Sequence, residues 1–124
     1  MTATDAVRAY YGALDAGDYG TLQELLASDF VQHRPDRSFE GREAFVTFMR
    51  EARPVHETTH EVAGIFVEGA GDGSDAADDA DGGEGTEVAV RGCVVDENEQ
   101  VLVNFVDVFT VENGRIVALR TYTR

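Results

Sequence analysis

The hydrophobic pattern of this chain changes period near its middle. Over residues 4–16, Val7, Tyr10, Tyr11 and Leu14 fall at i, i+3, i+4 and i+7, one face of an amphipathic helix that Gly17 ends. Asp18 is placed to cap a second helix carrying Leu22, Leu25 and Leu26 before Phe30. The run FVQHRPDRSFEG breaks regularity at Pro35. After Gly41 a third stripe, Phe45, Phe48 and Met49, predicts a helix that Arg53-Pro54 closes. From His56 the period becomes two. HETTHEVAGIFVE reads as a strand over 57–68 and TEVAVRGCVV as another over 86–95. DENEQ then turns into VLVNFVDVFTVENGRIVALRTYTR, two long strands joined by Asn113-Gly114, the residue pair that suits a type I′ hairpin turn.

Helices followed by antiparallel strands predict an α+β fold: a cone-shaped curved sheet wrapped around three N-terminal helices, its open end fit for a small ligand. At 124 residues the chain suits one domain, 1–124. A two-residue turn would set Glu112 against Arg115, Val111 against Ile116, Phe109 against Ala118, Asp107 against Arg120 and Phe105 against Tyr122. Asp107 is the anomaly in that apolar row. A carboxylate there costs several kcal/mol unless it is paired, hydrogen-bonded or protonated. It is thus either a pocket acid/base, a structural partner of Arg120, or a residue on a sheet face open to water.

Charge narrows the partners. The chain holds 24 Asp and Glu against 10 basic residues, all Arg, for a formal charge of −14, which repels nucleic acid and anionic membrane. Such an acidic surface over an ordinary core resembles proteins of a high-salt cytoplasm, as in a halophilic archaeon, where salt screens self-repulsion. GAGDGSDAADDADGGEGT, at about 69–86, combines six acids and six glycines with no large apolar side chain, so a mobile hairpin loop is expected there. It lacks the spacing of a calcium loop. Cys93 is the single cysteine, so an intramolecular disulfide is impossible and a Cys-rich metal site is excluded. His56 and His60, four apart on a strand, lie about 13 Å from each other, too far to share a metal. No metal and no cofactor are expected. The N-terminus has neither a basic n-region nor an apolar h-region, which leads us to expect a soluble cytoplasmic protein.

Three stretches carry a resemblance: YYGALDAGDYGTLQELLASDFVQH at 10–33, FEGREAFVTFM at 39–49 and DVFTVENGRIVAL at 107–119. In order and spacing they resemble the SnoaL-like branch of the nuclear transport factor 2-like superfamily. The resemblance implies a cone-shaped α+β barrel, homodimers packed through the sheet, and a hydrophobic pocket that serves polyketide cyclases, ketosteroid isomerases, epoxide hydrolases, dehydratases and non-catalytic binders. It further implies that Asp107 is a general acid/base, that His33 matches the histidine of a Q-H-x-P stretch, and that Tyr10 stands where an oxyanion-hole tyrosine would be. The place of the isomerase base holds Arg34, which argues against ketosteroid isomerase activity. Two function classes follow. One is a cofactor-free enzyme moving protons on a small apolar carbonyl compound, with Asp107, His33 and Tyr10 catalytic and Arg120, Phe105, Phe109, Tyr122 and Phe48 binding substrate. The other is a ligand-binding or dimerisation module with no chemistry.

Overall fold

Local signals in the first half set the helix ends. In a computed structural model describing residues 2–51, 57–68 and 85–124, α1 (Ala3–Ala16) begins in a capping box. The Thr2 side chain accepts from the Asp5 N–H, and the Asp5 carboxylate accepts from the Thr2 N–H. It ends at Gly17, whose φ of 69° is the left-handed conformation that a Cβ disfavours. Asp18 caps α2 (Tyr19–Leu25) by accepting from Thr21. α3 spans Arg42–Glu51. The strands are β1 (Leu26–His33), β2 (Ser38–Glu40), β3 (Thr59–Val67), β4 (Thr86–Val95), β5 (Val101–Glu112) and β6 (Arg115–Thr123).

These strands form one curved, unclosed sheet in the order β2-β1-β6-β5-β4-β3, with the three helices on its concave face. The expected α+β architecture is present. The first half contributes more sheet than its sequence promised. Leu26 opens β1 instead of closing the second helix, and the segment broken by Pro35 is the turn of a short β1–β2 hairpin. β1 runs parallel to β6, while every other pairing is antiparallel. Bulges at several registers bend the sheet. Gly92 sits opposite one of them, where an added Cβ would come within 2.1 Å of the Glu61 carbonyl oxygen. No larger residue fits there.

The hairpin register differs from the one its turn dictates. Glu112 faces Arg115 and Val111 faces Ile116 as expected, but then Val117 bulges out of β6 and the partners shift by one. Asp107 therefore faces Thr121, and Arg120 faces Val108 on the opposite surface. Because side chains alternate with period two, that single residue reverses the facing of every later β6 side chain. Leu119 is brought into the core in place of Ala118.

The core lies between α1, α3 and the sheet. Val7, Phe30, Phe45, Val88, Phe109, Ile116 and Leu119 are fully buried. Tyr10 packs edge-on to Phe109 at 5.2 Å between ring centres and stacks on Phe45 at 6.3 Å. The acidic run expected to be mobile, like His56 and Arg53-Pro54, lies outside the described residues except for Gly85 and Thr86, where β4 begins. Among the described residues no helix is long and apolar enough to cross a membrane.

Candidate functional site

The inner ends of β1, β5 and β6 meet α1 and the start of β3 around a cavity of about 310 Å³. Leu14, Phe48, Met49, Val103 and Phe105 give it apolar walls. Its polar residues include Asp107, Thr121, Gln32, His60 and Arg34. A wider hollow of about 550 Å³ lies between Glu61, Arg91, Val106 and Tyr122 on the outer side of the sheet, and no buried ionisable group lines it. The inner cavity, with a buried carboxyl in its wall, is therefore the candidate site.

Asp107 is 5% exposed. Its Oδ2 accepts from the Tyr11 hydroxyl at 2.6 Å and its Oδ1 from the Thr121 hydroxyl at 2.6 Å. Gln32 Nε2 in turn donates to Thr121 Oγ1 at 2.9 Å. Burial pushes the Asp107 carboxyl above the usual carboxylate range, outweighing the two hydroxyl donors and the charges of His60 and Arg34, all of which favour ionisation. The Tyr11 phenol is raised far above its ordinary value, first by burial and then by the Asp107 charge and hydrogen bond, so it stays a donor. The bulge at Val117 makes this arrangement possible, because it turns Thr121 inward.

A second carboxylate works at the other wall. Asp15 Oδ1 lies 2.7 Å from His60 Nδ1, and the same carboxylate accepts from the His60 backbone N–H at 3.0 Å. A carboxylate at that distance makes Nδ1 the donor, which leaves Nε2 of the neutral ring as the basic nitrogen. The His60 ring centre stands 5.2 Å from that of Tyr11 and 5.7 Å from that of Phe105. Asp15 follows Tyr11 by one helical turn, so α1 serves Asp107 and His60 from one face.

Asp107 and Phe105 point into the cavity as the sequence predicted, and Phe48 lines its mouth with the Arg37 guanidinium 5.0 Å from its ring centre. Tyr10 forms part of the wall, but its neighbour Tyr11 holds Asp107. Phe109 is fully buried beneath the two tyrosines and does not reach the cavity. His33 is exposed on β1 and contacts Ser38 Oγ at 3.1 Å, because inward-facing Gln32 precedes it. Arg120 is on the outer face, 3.5 Å from Glu87, and Tyr122 is 54% exposed there. The expected Asp107–Arg120 pair therefore does not form. The sequence reading missed Tyr11, Asp15, Gln32, Arg34, His60 and Thr121. Only Tyr11 and Asp15 left a signal, a hydroxyl and a carboxylate one turn apart on the buried side of α1. Among the described residues no three His, Cys, Asp or Glu side chains cluster as metal ligands.

Fold and cavity together define a small α+β cone with a ligand-sized cavity around a buried carboxyl. Residues 7–119 match the SnoaL-like domain, and the chain belongs to that family. No curated protein matches its sequence. Its fold is similar to that of a nuclear transport factor 2-like protein of unknown function from Cytophaga hutchinsonii (18% identity over 100% of this chain and 91% of that one, TM-score 0.74). It is also similar to a protein from Sinorhizobium meliloti assigned as a polyketide cyclase (21% identity, 94% and 93% covered, TM-score 0.71). A third similar structure is assigned as a ketosteroid isomerase, from Kribbella flavida (17% identity, 97% and 76% covered, TM-score 0.67). At these identities the likeness is one of fold.

Proposed function

We propose that the cavity binds a small carbonyl compound with an apolar body and moves a proton on it without a cofactor, in the manner of an isomerase, aldol cyclase or dehydratase. The observation that carries this reading is Asp107, a carboxyl held nearly dry in a ligand-sized cavity by two hydroxyl donors and sharing that cavity with a carboxylate-oriented histidine. Burial favours the neutral carboxyl, the form that can give a proton to a carbonyl oxygen. His60 Nε2 takes the proton from the carbon beside the carbonyl while Asp107, protonated at Oδ2, gives its proton to the carbonyl oxygen. The resulting enol returns a proton to Asp107 and receives one on carbon from His60, and Tyr11 steadies the carboxylate between the two transfers. Arg34, close enough for its charge to act on Asp107, takes the substrate-orienting part expected of Arg120.

The test is exchange of solvent deuterium into a panel of enolisable ketones and keto acids, followed by NMR. Wild type is expected to catalyse exchange into at least one of them, with losses of about 10³-fold in Asp107→Asn and about 10²-fold in His60→Gln. Compounds that bind without exchanging would make the cavity a binding site only.

The outer face suits a second copy of the chain. Val106 and Tyr122 are register partners there, 41% and 54% exposed, beside Phe66 at 57%. Sedimentation is expected to give a dimer that Val106→Lys splits. The acidic surface fits a high-salt cytoplasm, so the melting temperature is expected to rise with potassium chloride toward molar levels. A flat response would remove that reading.

A further inference from the structure

Three buried side-chain polar atoms have no hydrogen-bond partner among the described residues, and two of them, Gln32 Oε1 and Arg34 Nε, belong to residues lining the inner cavity. Leaving such a group unpaired costs about 1–3 kcal/mol, so two in one cavity mark a place where something else completes the bonding. Gln32 is 3% exposed and is held on β1 between Phe39 of β2 and Leu119 of β6. Its amide has one workable orientation. The Thr121 hydroxyl proton is committed to Asp107 Oδ1, so Thr121 Oγ1 only accepts from Gln32, and the NH₂ must face it. That leaves Oε1 as the unpaired acceptor whether Asp107 is ionised or carries its proton at Oδ2.

Arg34 lies two residues further along, just past the end of β1. Its Nε is 3.8 Å from Asp36 Oδ1, beyond hydrogen-bond distance, and Asp36 also serves Arg37 at 3.3 Å. Two guanidinium groups thus share one exposed carboxylate, and the cavity mouth carries a local surplus of positive charge on a chain of net charge −14. The unpaired acceptor and the unpaired cationic donor belong to residues two apart in sequence that line the same cavity as Phe48, Phe105 and Met49. They call for a ligand with a hydroxyl and a carboxylate close together on an apolar body.

We propose that Gln32 and Arg34 form a recognition subsite for small hydroxy acids, the hydroxyl donating to Gln32 Oε1 and the carboxylate accepting from Arg34 Nε. This rests on the proton-transfer reading of the cavity and narrows its substrates to hydroxylated carboxylic acids of the kind that aldol and dehydration chemistry makes and consumes.

Three probes test it in titrations read by ¹H–¹⁵N NMR: 3-hydroxy-3-phenylpropionate, 3-phenylpropionate without the hydroxyl, and methyl 3-hydroxy-3-phenylpropionate without the charge. The hydroxy acid is expected to bind at least about tenfold more tightly than either comparator, shifting the Gln32 side-chain NH₂ and Arg34 Nε–H signals. Gln32→Met is expected to erase the preference for the hydroxyl alone, and Arg34→Met the preference for the anion alone. Equal binding of the three probes, no binding at about 10 mM, or preferences that survive in both variants would overturn the subsite. The wild-type signals give an answer even where a variant fails to fold. Retained preference with no Asp107-dependent deuterium exchange would sink the proton-transfer reading and leave the subsite standing. Exchange without preference would do the reverse.

Discussion

On the inner face of the β5–β6 hairpin Asp107 is 5% exposed beneath two hydroxyl donors, whereas on the outer face Arg120 and Glu87 meet at 3.5 Å with side chains 48% and 44% exposed. The buried carboxyl sits on β5, and the exposed pair joins β6 to β4 across the other surface of the same sheet. Inside, burial dominates and the carboxyl is pushed toward its neutral form. Outside, water screens an ion pair that is worth little. The lesson is that a charge has chemical value on this hairpin only where the sheet keeps it dry, and a single bulge decides which charges those are.

Leu119→Ala strikes the dry side of that division and has the largest expected effect. Its side chain is fully buried because of the bulge, and truncation is expected to cost about 2–5 kcal/mol in urea denaturation. A loss below about 1 kcal/mol would show that the bulge delivers no packing at this position.

Tyr11→Phe removes one of the hydroxyls on the inner carboxyl. A loss of about 1.5–3 kcal/mol in urea denaturation near neutral pH is expected, shrinking in acid where a neutral Asp107 accepts a weaker bond. A loss independent of pH would mean that Tyr11 supports the fold by packing alone.

The titration of Asp107 sharpens the contrast. Its folded pKa is raised above the unfolded one, so its contribution to stability is full below the unfolded pKa, about 4, and is lost as pH climbs through the folded value. Asn cannot ionise. Asp107→Asn is therefore expected to gain on wild type as pH rises across that window, by up to ~1.4 kcal/mol per pH unit, in paired denaturation curves. A gap that narrows with rising pH would mean that the folded state prefers the ionised carboxylate.

The smallest effect is on the outside. Arg120→Met is expected to change stability by no more than about 0.5 kcal/mol, since both partners are exposed and screened. A loss of several kcal/mol would put Arg120 back against Asp107.

Periodicity was enough to find α1, α3, the four long strands and the inward direction of Asp107, because burial on one face leaves a regular imprint. It did not reveal β1, whose burial alternates poorly where the chain bulges between Leu26 and Val31. The site was harder to read. Asp107 stood out as a charge in an apolar row, but its donors come from positions 96 and 14 residues away in sequence, and no local rule links them. Arg120 was assigned to the wrong face because a turn fixes register only as far as the next bulge. His60 gained its role from Asp15, which lies 45 positions earlier.

The parallel pairing of β1 with β6 also governs how the chain assembles. Gln32 bonds to Thr121 across 89 positions, so β1, though made early, has no sheet neighbour on that side until the ribosome has delivered β6. Helices α1 and α2 can form during synthesis, yet the apolar side of α1 must wait for the strands that cover it. A nascent chain lacking β5 and β6 therefore leaves Tyr10 and Tyr11 without Phe105 and Phe109, the rings they pack against. The formal charge of −14 on the full chain would then help to keep such half-made chains from one another.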